Sequence, residues 1–105
     1  MERNAQTQWI INEIDNRLPH LEWMRYAISQ AYNRHRANPE HFTMVDVDTQ
    51  ARQSYELFIT QDLWTGADRT RPTFAISIIR HYLGLAQWTL IVNHILAGME
   101  IEVKS

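Results

Sequence analysis

No cysteine occurs in the 105 residues of this chain, so neither a disulfide nor a thiolate-held zinc or iron–sulfur cluster can hold it together, and a cysteine nucleophile is excluded outright. Glycine is almost as scarce, with three residues in all, too few for a loop whose successive amides cradle phosphate. Among the ten cationic residues only Lys104 is a lysine. Arginine favours planar, bidentate ion pairs over diffuse attraction, although GC-rich codon usage explains the bias equally well. The net charge is −2, with a basic excess over residues 17–39 and an acidic one over 40–62. That balance leaves at most a local basic patch, short of the face a general nucleic-acid binder needs. The start, Met1-Glu2-Arg3-Asn4-Ala5-Gln6, is polar, and no apolar run follows a basic opening. A secretory signal peptide is therefore not expected, and a cytoplasmic location is.

What is present is helical periodicity over a single domain, residues 1–105. Thr7, Ile10, Ile11, Ile14 and Leu18 recur at helical spacing, and Pro19 ends or kinks that first helix because it lacks a donor and biases its predecessor out of the α region. A second helix carries Leu21, Met24, Ile28, Ala31, Tyr32 and His35 on one stripe and runs to about Arg36, before Asn38-Pro39. Residues 40–47 read as loop, a short strand or the entry to the third helix, with loop preferred. From Asp46 or Asp48 as N-cap, a third helix places Val47, Ala51, Tyr55, Phe58 and Ile59 on one face and ends near Trp64, with Gly66 as its stop.

The fourth segment is the most informative. Pro72 suits a first helical position, and apolar residues dominate from there to Ala97, so a single long helix is expected, stopped by Gly98. Thr73, Ser77, Arg80, Gly84, Gln87 and His94 share its polar stripe, Leu85 and Val92 lie near the centre of the apolar arc, and Leu83, Leu90 and Ile91 flank the stripe. That is more apolar face than one side of a small bundle uses. Spread of Arg80, His81, Gln87, Asn93 and His94 through the segment argues against a membrane span. Two explanations remain and are compatible: a central helix buried by the other three, or a surface covered by a second copy or a different protein. The tail, Met99-Glu100-Ile101-Glu102-Val103-Lys104, alternates apolar and charged residues, the pattern of a half-buried strand or of a frayed terminus. As a strand it could pair with Met44–Val47, with its symmetry mate or with a partner's sheet edge.

The sequence carries no recognisable catalytic signature. There is no Walker loop, GxGxxG, GxSxG, HExxH or EF-hand ligand series. The five histidines, His20, His35, His41, His81 and His94, include no pair three or four residues apart, so no metal site is expected. His35 and His81 fall on apolar stripes and read as hydrogen-bonded core residues. Asp62 and Arg80 read as a partly buried structural ion pair. Asp46, Asp48 and Glu56 with His41 form a loose acidic group, read as a solvated face. Trp9, Trp23 and Trp64 lie off the centres of their apolar stripes, a mild sign of binding because tryptophan is enriched at interface hot spots. Helix–turn–helix recognition of DNA is disfavoured, since Arg25 and Arg36 align on one side of the second helix while Arg34 points nearly opposite.

A cysteine-free helical chain of this length, rich in Arg over Lys and carrying an apolar Pro72–Ala97 helix suited to docking, resembles the small proteobacterial antiactivators that bind LuxR-type quorum-sensing regulators and block their dimerisation. The resemblance implies a homodimeric helical protein that sequesters a transcriptional activator without touching DNA. The sequence thus leads to an all-α bundle of about four helices with a non-enzymatic, partner-binding regulatory function and no cofactor. Its expected contact residues are Arg80, Leu83, Gln87, Leu90, Ile91, His94, Ile101 and Val103. The alternative is a small DNA-binding or ligand-binding helical regulator.

Overall fold

A computed structural model describes residues 2–64 and 72–99, which form five helices: α1 (Ala5–Asn16), α2 (Leu18–Ala37), α3 (Met44–Trp64), α4 (Pro72–Gly84) and α5 (Trp88–Gly98). The fold is all-α, as the periodicity predicts, with one helix more than expected.

Asn4 caps α1: its side chain accepts from the Thr7 amide at 2.9 Å and from the Thr7 hydroxyl at 2.6 Å, which satisfies a donor that the helix itself cannot pair. The break between α1 and α2 falls at Arg17, which is extended. Pro19 sits in the first turn of α2, where no backbone donor is needed. After α2, the amides of His41 and Phe42 return to the Asn38 carbonyl, and His35 Nδ1 meets the Phe42 carbonyl at 2.7 Å.

The third helix starts earlier than its expected Asp46 or Asp48 cap. Thr43 and Asp46 form a reciprocal cap, the Thr43 amide donating to Asp46 Oδ2 at 2.8 Å and the Asp46 amide reaching Thr43 Oγ1 at 3.4 Å. Residues 44–47 are consequently helical. They offer no strand edge for the tail to pair with. Gly66 and residues 100–105 lie outside the described residues.

The long helix over 72–97 is not continuous. It breaks after Gly84, and the two halves meet at 78°. Leu85 and Ala86 donate to the carbonyls of Tyr82 and Leu83 in a tightening turn. The Gln87 amide leaves the helical ladder altogether and donates to the Thr7 hydroxyl at 2.7 Å. Asn4 completes the tie, its Nδ2 donating to the Leu85 carbonyl at 2.8 Å and its amide to Gln87 Oε1 at 2.9 Å. The capped end of α1 thereby supplies the partners that a break in a helix would otherwise leave wanting. Among the described residues no single helix is long and apolar enough to cross a membrane.

The break separates two roles that the sequence assigned to one element. α5 is the central helix, packed against α1, α2 and α3, and it buries Trp88, Ile91, Val92, Ile95 and Leu96. α4 lies to the side on α3, and of its described side chains only Ile76 and Leu83 are buried. Trp88 fastens the corner by donating its indole N–H to the Leu83 carbonyl at 2.8 Å.

Candidate interaction surface

Because the helical phase changes at residues 85–87, the contact face drawn along one straight helix is not assembled. Leu83 and Ile91 are 1% and 0% exposed and belong to the core, so neither can form the rim of a contact surface. Leu85, placed at the centre of the apolar arc on a straight helix, is instead 48% exposed at the bend. Leu90 is half-buried on α5. Gln87 is occupied by Asn4 and Thr7. Arg80 pairs with Glu56 at 3.0 Å; the Asp62 side chain, its expected partner, lies outside the described part, and His81 is exposed instead of packed in the core. His94 Nε2 lies 2.9 Å from Asp15. Ile101 and Val103 are outside the described residues.

A different apolar surface takes their place. Trp9 of α1, Ile59 of α3 and Ile78, Ile79, Tyr82 and Leu83 of α4 line a groove of about 360 Å³. Its walls are helices α1 and α4, which touch through the Trp9 and Tyr82 rings, edge to face at 5.7 Å between centroids. No charged side chain lines it. Ile78 is 54% exposed and Trp9 49%, and one turn before Ile78 stands Phe74, at 76% the most exposed large apolar side chain described. Phe74, Ile78 and Tyr82 follow one another at four-residue spacing and so share one face of α4. Within the sequence, the off-centre position of Trp9 already pointed here. Phe74, Ile78 and Tyr82 belong to the broad apolar arc of the fourth segment, which periodicity alone does not divide into a buried and an exposed part.

A second concavity, about 440 Å³, is lined by Asp15, Leu21, Arg25, His94, Ile95 and the end of α5 at Ala97 and Gly98. Here Asp15 and His94 satisfy one another, and the Arg25 guanidinium lies near Gly98, where a cation is favoured by the helix C-terminus.

Three titratable groups are shifted outside these concavities. Burial pushes the Asp48 carboxyl up, offset in part by the Thr89 hydroxyl that donates to its Oδ2 at 2.7 Å; its Oδ1 is buried without a partner. Burial also holds His20 below the usual histidine range, with the Arg17 charge acting in the same direction and Glu13 against it. Its Nδ1 is 3.1 Å from the Tyr55 hydroxyl, and its ring meets Phe58 edge to face. Tyr55 is fully buried, and burial raises its phenol well above the ordinary range. Among the described residues no group of three His, Asp or Glu side chains is placed to hold a metal ion. Compared with known proteins, the chain matches no family model, no curated protein and no solved structure.

Proposed function

We propose that this protein is a non-enzymatic regulator that acts by binding another protein chain through the groove between α1 and α4. The observation that carries this reading is the groove itself: an apolar, solvent-open trough walled by two helices and continued by the exposed Phe74. A contiguous patch of this kind, flanked by polar side chains, is how a soluble surface marks a contact with another chain. A groove walled by two helices suits the apolar face of a third helix. The resemblance to antiactivators of LuxR-type regulators gives the target class: a transcriptional activator held so that it cannot dimerise. DNA contact is not part of the proposal, since the groove carries no positive charge.

The reading is tested by placing a photo-crosslinking residue at Ile78 or, as a control, at the exposed Tyr26 of α2, in the cells that make the protein. A discrete covalent adduct is expected from position 78, lost when Trp9→Glu is added, and none from position 26. Adducts of equal yield at both positions, or none at 78, would defeat it.

A further inference from the structure

We infer that a second copy of this chain occupies the groove, with Phe74 of each copy inserted against the other's Ile78–Tyr82 wall about a twofold axis near Ile78. The inference rests on the groove being an interaction surface and names its occupant.

The first reason is that knob and hole lie on the same helix at matching intervals. Phe74, Ile78 and Tyr82 are separated by four residues each, so each step advances ~6 Å along α4 with a drift of ~40° around it. If two α4 helices meet antiparallel with the axis beside Ile78, Phe74 of one copy falls opposite Tyr82 of the other, and Ile78 faces its own counterpart. An isologous contact requires that self-complementarity. Phe74, the most exposed apolar side chain of that face, then meets the groove.

Charge is the second reason. Helix α4 contains no carboxylate, and its one permanent charge, Arg80, is already matched by Glu56 at 3.0 Å within the same chain. The face is neutral, so it does not select an acidic or a basic partner, and bringing two such faces together opposes no like charges.

The exposed parts of Trp9, Phe74, Ile78 and Leu85 amount to on the order of 500 Å² per copy, about 1,000 Å² for the pair, which falls at the low end of specific interfaces. Such an area fits a weak, concentration-dependent dimer, one that a tighter-binding partner could displace from the same groove.

The experiment is sedimentation velocity across roughly 1 μM to 1 mM, on the wild-type chain and on Phe74→Ala and Tyr26→Ala, with circular dichroism as the check on folding. Because the chain has no thiol of its own, Ile78→Cys and Tyr26→Cys variants add a register test by mild oxidation. The expected result is a monomer–dimer equilibrium inside that range, weakened about tenfold or more by Phe74→Ala and unchanged by Tyr26→Ala, with an interchain disulfide formed readily at position 78 and not at 26. A monomer throughout, or a dimer that Phe74→Ala leaves intact and Ile78→Cys does not crosslink, overturns the inference. A monomer whose position-78 photo-crosslink captures a different protein removes the second copy as occupant while leaving the groove as the binding site. A monomer with no adduct at position 78 removes both.

Discussion

The Gln87 amide and the Thr7 hydroxyl meet at 2.7 Å across a separation of 80 residues, and the hydroxyl is wholly buried. This bond holds the corner between α4 and α5 against the capped end of α1. Thr7→Val keeps the shape and removes the acceptor, leaving a part-buried amide unpaired, at a cost of about 1–3 kcal/mol. Thr7→Ser keeps the hydroxyl and should cost clearly less than Thr7→Val. Urea unfolding of the two variants checks this; a Thr7→Val variant as stable as wild type would mean that the hydrogen bond does not hold the corner.

The two sides of the α4–α5 break should respond differently to truncation. Ile91 is fully buried in α5, so Ile91→Ala should cost about 2–5 kcal/mol through lost burial and the cavity left behind. Leu85, half exposed at the corner, should cost ~1 kcal/mol or less on the same substitution. A straight helix would have reversed their order, so the comparison tests the break itself.

Asp48 gives a pH dependence whose sign follows from its raised native pKa. The unfolded carboxyl ionises first, near its ordinary value of 3.8, so the folded state binds the extra proton and loses stability as pH climbs from there through the native value. Asp48→Asn retains an acceptor for Thr89 and removes the buried charge. Its melting temperature should exceed wild type at pH 7, and the difference should close as pH falls below about 4. A variant less stable than wild type at pH 7 would show that the carboxylate has a partner worth more than its burial.

His20 acts in the opposite window. With its native pKa below 6.5, the unfolded state takes up the proton first as pH falls through that value, and stability declines until the native ring also protonates. His20→Gln should flatten that part of the stability profile. An unchanged slope between pH 7 and 5 would place its source at another histidine.

Much of the fold was readable because it depends on local rules. The Ile10–Ile11–Ile14 and Met24–Ile28–Ala31 spacings, Pro19 in a first turn and the Asn38-Pro39 stop each act within a few residues. The break at 85–87 was not readable. The backbone of Gly84 lies outside the left-handed region and a Cβ there would meet open space, so nothing in residues 72–98 alone demands a corner. The partners that make it favourable, Asn4 and Thr7, come from the other end of the chain. The same long-range tie decides the site: once α4 and α5 part, Ile91 turns into the core, Phe74 and Ile78 turn outward, and Tyr82 stays half-buried beside Trp9. Capping by Thr43 and Asp46 was legible in principle as a Thr-x-x-Asp signature, but two nearby aspartates competed for the role.

The most direct test of the account is a concentration series of amide NMR spectra on the isotope-labelled wild-type chain. Shift changes should be confined to residues 74–85 and the neighbourhood of Trp9, should follow a single binding curve, and should vanish in Phe74→Ala. Spectra that stay constant to ~1 mM, or changes centred on α2 around Tyr26, would contradict the claim that the α1–α4 groove is where another copy of this chain docks.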